Sequence, residues 1–152
     1  MTPRQLVDAE LGLINLMFEK QHEIYPMCVI VKNHERYLIP VSLPNNARKD
    51  VIAQGIRDLV KRSDPDIVIF VAEAWVTIVK SKLDRMQIPP YSHEKVEMIS
   101  AHIEFKTGEK YGCEARIIRE PGKLPRLEKF DVTDGKYDMG RFCDFFPIER
   151  TN

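Results

Sequence analysis

The first twenty positions repeat apolar residues at helical spacing: Leu6, Val7, Ala9, Leu11, Leu13, Ile14, Leu16, Met17 and Phe18. At about 100° per residue these positions span an arc of roughly 220°. The polar stripe is narrow: Arg4, Asp8, Asn15 and Glu19, with Gly12 among them. A helix that hides only one face shows a narrower apolar arc, so this one is expected to pack against two things, the sheet and either a second helix or another subunit. Leu6, Leu13 and Met17 are the candidate interface residues. Thr2-Pro3 with Gln5 predicts the start, through a threonine cap, a proline in the first turn and a closing glutamine. The helix should run to about Lys20.

The stretch YPMCVIVKNHERYLIPVSLP reads as a hairpin, with strands near Met27–Lys32 and Arg36–Val41 and a turn at Asn33–Glu35. Pro40 cannot donate to a ladder, so the second strand belongs at an edge or ends there. Pro44-Asn45-Asn46 then caps a second helix, roughly Ala47–Arg62. Its Ile52, Ile56, Leu59 and Val60 share one face, with Ala53 and Gly55 beside them. Asp64-Pro65-Asp66 ends it.

VIFVAEAWVTIV follows, from Val68 to Val79. Ile67, Ile69 and Val71 alternate with Val68, Phe70 and Ala72, so the first half is apolar on both faces. Two-sided burial argues for a central strand, and β-branched and aromatic content favours strand over helix. Ser81–Glu94, with Pro89-Pro90-Tyr91, reads as a long loop.

KVEMISAHIEFK and YGCEARIIRE then alternate around TGEK. Ile99, Ala101, Ile103 and Phe105 form one row and Cys113, Ala115 and Ile117 another. Both rows are odd-numbered, so a pairing that aligns them needs an odd loop, of three residues or with a bulge. Asp134-Gly135 offers one more hairpin, pairing Val132 with Tyr137 and Phe130 with Met139. FCDFF, near the end, is expected to pack back on the body.

The order α-β-β-α-β-β-β, with two further short strands, predicts one α+β domain over 1–152 with a largely antiparallel sheet and two main helices. By element order it resembles profilin-like and roadblock-like domains. A sheet ordered that way leaves the third strand at an edge, whereas its two apolar faces ask for the middle.

Composition removes several function classes. Lys+Arg and Asp+Glu both count 23, which lacks the basic surplus of a nucleic-acid binder. Zero net charge also lowers the repulsion that opposes self-association. The apolar runs are too short for a membrane span, and MTPRQLVDAE is no signal peptide. Cys28, Cys113 and Cys143 are odd in number and widely spaced. That spacing suits neither a disulfide framework nor a zinc site, and reads as reduced cysteines in the cytoplasm. LGLIN, KTGEK and TDGKY lack phosphate-cradling spacing, so no cofactor is expected, and no metal signature is present.

Glu73 interrupts the most apolar segment of the chain. A carboxylate there needs partners or water. His102 and Arg116, on the polar row of the following hairpin, are the candidates. A converging Glu73/His102/Arg116 cluster would be an acid–base or anion-binding site. The competing reading, and the favoured one, is a solvated face laced by cross-strand pairs. Glu10 poses the same question inside the first helix's apolar arc. It is either a buried carboxylate with a partner or part of an edge tilted into water, the second being favoured. Trp75 is expected in the core, and RIIREPGKLPRLEK is expected to be a solvated loop. No spacing fixes a reaction. The function expected is therefore a non-catalytic interaction or assembly module that self-associates or holds another protein. The alternative is a small-ligand sensor or enzyme built on the three-residue cluster.

Overall fold

The computed structural model describes residues 1–42, 46–79, 93–135 and 142–147. Helix α1 (Pro3–Gln21) opens on the expected reciprocal cap. The Gln5 amide donates to Thr2 Oγ1 at 3.2 Å and the Thr2 amide to Gln5 Oε1 at 2.9 Å. The hairpin follows as β1 (Met27–Lys32) and β2 (Glu35–Pro40). Its turn is two residues, Asn33 and His34, both at positive φ, which matches the right-handed twist of the strands it joins. The second strand thus starts one residue earlier than the pattern suggested.

Helix α2 (Asn46–Ser63) leads to β3 (Ile67–Val79), β4 (His93–Phe105) and β5 (Lys110–Ile118), and two short strands complete the order, β6 (Arg126–Leu127) and β7 (Asp131–Asp134). The fold is α+β. The described strands form a seven-stranded antiparallel sheet, ordered β2-β1-β3-β4-β5-β6, with β7 also paired to β5. β3 is interior, between β1 and β4, as its two apolar faces required. The profilin-like arrangement, with the third strand at an edge, is not the one adopted.

Two cores explain that placement. On one side of the sheet, Val7, Leu11, Ile14 and Phe18 of α1 pack on the odd rows of β3 and β4, including Ile69, Val71, Ile99 and Ile103. On the other side, Ala53, Ile56 and Val60 of α2 join Cys28, Ile30, Val68 and Phe70. Phe142 and Phe145 from segment 142–147 complete this second core, and Phe142 stacks on Phe70 with centroids 4.1 Å apart. FCDFF does pack back on the body.

The β4–β5 connection has the three-residue loop that the two odd rows demanded. The Phe105 amide bonds to the Glu109 carbonyl at 2.9 Å, and Gly108 takes φ +111 between them. At the far edge, Ile117 faces Leu127 but Cys113 faces Val132. The sum of partner numbers changes by one between β6 and β7, so the chain bulges there, and Leu127, Phe130 and Val132 can all pack on the α1-side core. The basic stretch read as a loop therefore contains an edge strand. The pairings of Val132 with Tyr137 and Phe130 with Met139 lie outside the described residues, as does the loop around Pro89-Pro90-Tyr91, but His93 and Glu94, read as the end of that loop, belong to β4 and pair with Val79 and Ile78.

Candidate functional site

Register decides the fate of the three-residue cluster. Ile69 pairs with Ile103 and Glu73 with Ile99, so odd rows lie with odd rows. Glu73 therefore sits on the α1 side of the sheet. His102 and Arg116, which pairs with Met98, lie on the opposite side. Those two are themselves four residues apart along the strands, about 13 Å at roughly 3.3 Å per residue. Glu73, His102 and Arg116 do not converge, and the acid–base or anion site expected of them is not built.

Glu73 and His102 have local tasks instead. Glu73 Oε1 accepts the Ile24 amide at 2.8 Å, fixing the link between α1 and β1 against the sheet. His102 is fully buried, its Nε2 lying 2.6 Å from Glu104 Oε2, and its ring meets Phe145 edge-on. The other oxygen of Glu104 accepts the Phe145 amide at 2.9 Å. This buried pair moors segment 142–147 to β4. Arg57 of α2 adds a hydrogen bond to the Cys143 carbonyl at 2.9 Å, and Lys110 forms an ion pair with Asp144. The Lys110 ammonium holds the Asp144 carboxyl below the usual carboxylate range. Among the described residues no group of three or more His, Cys, Asp or Glu side chains is placed to hold a metal ion.

Trp75 is 68% exposed, not in the core. It lies opposite Glu97, which Arg119 grips through two hydrogen bonds of 2.9 and 3.0 Å. Beyond Val71 β3 has no β1 partner, so Trp75 stands on a ribbon that reaches past the first hairpin.

The α1 flank is the second place the sequence singled out. Glu10 is buried and paired with Arg36 of β2, so the water-tilted reading of Glu10 is not realised. Arg36 pairs with Val31 and Leu38 with Val29, which puts both on the α1 side. Leu6, Leu13 and Met17 stand four before, three after and seven after Glu10, a spacing that keeps them on its flank of the helix. Leu6 and Met17 are half-buried against the core. Leu13 stays 40% exposed and Leu16, at the outer side of the same flank, 53%. Leu38 is 51% exposed on the edge strand. The apolar surplus of α1 is thus only partly absorbed by its own chain. Leu16 and Leu38 were missed as members of this surface. Leu16 was already in the apolar arc, while Leu38 needed the β1–β2 register.

The backbone of β2 adds to this surface. The two-residue turn makes Lys32 and Glu35 a hydrogen-bonded pair, so Arg36, Leu38 and Pro40 occupy the alternate positions, with backbone groups turned away from β1. Pro40 thus falls where its missing N–H costs the hairpin nothing. Among the described residues no further strand flanks β2.

No family model matches the chain, and neither a curated protein nor a solved structure is significantly similar to it.

Proposed function

We propose that the chain is a non-catalytic assembly module of the cytoplasm that pairs with a second copy of itself through the Glu10 flank of α1 and the adjoining β2 edge. The observation that carries this reading is the exposure of Leu13, Leu16 and Leu38 on one side of the sheet, around an ion pair that is internally satisfied. With Glu10 and Arg36 already neutralising each other, a partner meets leucine and methionine there. The zero net charge leaves little long-range repulsion between copies.

The cytoplasmic part rests on the thiols. Cys28 and Cys113 are buried and free, on opposite sides of the sheet, where they cannot reach each other. No helix among the described residues is long and apolar enough to cross a membrane.

Light scattering is expected to give a mass twice the 17.7 kDa of one chain. Leu13→Asp and Leu16→Asp should return it to the single-chain mass with little loss of thermal stability, because both side chains project outward. A single-chain mass for the parent at high concentration overturns the reading. A different protein on the same flank would show as a monomer that binds that partner only with Leu13 and Leu16 intact.

A further inference from the structure

On the far side of the sheet from the α1 flank, α2 and β2 diverge around a groove of about 570 Å³. That volume falls within the roughly 300–1,000 Å³ of small-molecule sites. Cys28 and Ile56 form its floor, Ile39 and Val41 one wall, Ile52 and Leu59 the other. The floor carries no charge, since burial pushes the Cys28 thiol up to about 12 and keeps it protonated. Gly55 lies in the α2 wall and leaves it open: a Cβ built there meets nothing within 4 Å.

Among the described lining residues charge is confined to one place. Arg48 is the charged side chain among the described lining residues, and it stands in the opening turn of α2. That turn carries Arg48 and Lys49 and no acidic residue. The aligned peptide dipoles make this the positive end of the helix. An apolar trough that ends in a guanidinium and a helix N-terminus matches a molecule with a hydrocarbon body and an anionic head. Ser42 adds a hydroxyl at the same lining.

We propose that this groove binds a medium-chain carboxylate, its alkyl chain along Ile52, Ile56 and Leu59 and its carboxylate at Arg48. The site lies across the sheet from the α1 flank and shares Pro40 of the β2 edge with the surface proposed for self-association, so carboxylate binding and solution mass are read separately.

Titration calorimetry of the full chain with sodium octanoate, decanoate and dodecanoate, each below its micelle concentration, tests it. One molecule per chain is expected, with affinity rising about fourfold for each methylene added. Decan-1-ol, which lacks the charge, should bind about tenfold more weakly than decanoate. Gly55→Phe fills the groove while replacing glycine inside a helix. It should keep or raise the melting temperature and abolish binding. Val51→Glu, at an exposed rim position, should weaken decanoate and spare decan-1-ol. Absence of saturable heat with all three carboxylates overturns the proposal. So does undiminished binding to folded Gly55→Phe, or equal affinity for the alcohol and the acid. A change of solution mass in Gly55→Phe without carboxylate binding by the parent would assign the groove to a protein partner, and overturns it as well.

Discussion

Glu10 of α1 and Arg36 of β2 form an ion pair that ties the first helix to the edge strand of the sheet. The pair sits beneath the leucine-rich flank, with the Glu10 side chain 12% exposed and that of Arg36 28%. Removing one partner strands the other in a poorly solvated position. Glu10→Ala is expected to lower unfolding free energy by about 1–3 kcal/mol. Glu10→Leu combined with Arg36→Met should recover most of that loss, since both groups then become apolar. Urea unfolding of Glu10→Leu, of Arg36→Met and of the double variant measures the coupling.

Glu104 holds two groups at once, the His102 ring and the Phe145 amide. Glu104→Ala leaves both without that acceptor in the buried layer. A loss of about 1–3 kcal/mol is expected, together with faster hydrogen exchange at the Phe145 amide than at the Ile103 amide. Equal acceleration at both sites would mean that 142–147 is not moored separately.

The Asp144–Lys110 pair sets an acid dependence. Asp144 has its folded-state pKa lowered by the Lys110 hydrogen bond, so unfolding raises its proton affinity. Its contribution is complete above the unfolded carboxylate value of about 3.9. It is lost as pH falls through the lower folded value. Half-exposure keeps the effect small. Asp144→Asn should flatten that part of the stability profile below about pH 4, as read from urea midpoints.

The thiols should divide by accessibility. Cys28 and Cys113 are buried, and burial raises each to about 12, whereas Cys143 is half-exposed. A thiol-specific chromogenic reagent near pH 8 is expected to label Cys143 in the folded protein and all three cysteines after denaturation. Unfolding releases protons from the two buried thiols once pH exceeds their ordinary pKa of about 8.5, so stability should decline as pH rises beyond it. Rapid native labelling of Cys28 would show the α2-side core to be open.

Much of the architecture was legible because it rests on short-range patterns. The two apolar faces of Ile67–Ala72 place β3 inside the sheet, and the parity of Ile103 and Cys113 fixes an odd-length turn. The Thr2/Gln5 cap and the return of Phe142 and Phe145 to the body follow from local chemistry and burial. The Glu73/His102/Arg116 cluster failed on register. A strand pattern gives two faces, but only the pairing of Ile69 with Ile103 says which face of β4 joins which face of β3. The intervening stretch is too long to fix that pairing by turn geometry. Trp75 was misplaced for a related reason. Alternation sets its face, but not how far α1 reaches along β3. His102 and Glu104 read as a wet row because the segment that covers them is distant in sequence.

Sedimentation equilibrium of the unmodified chain over a wide dilution series tests the central reading most directly. A mass twice that of one chain, falling to the single-chain value on dilution and at every concentration in Leu16→Asp, is the predicted result. A single-chain mass throughout, unchanged by Leu16→Asp, would contradict it.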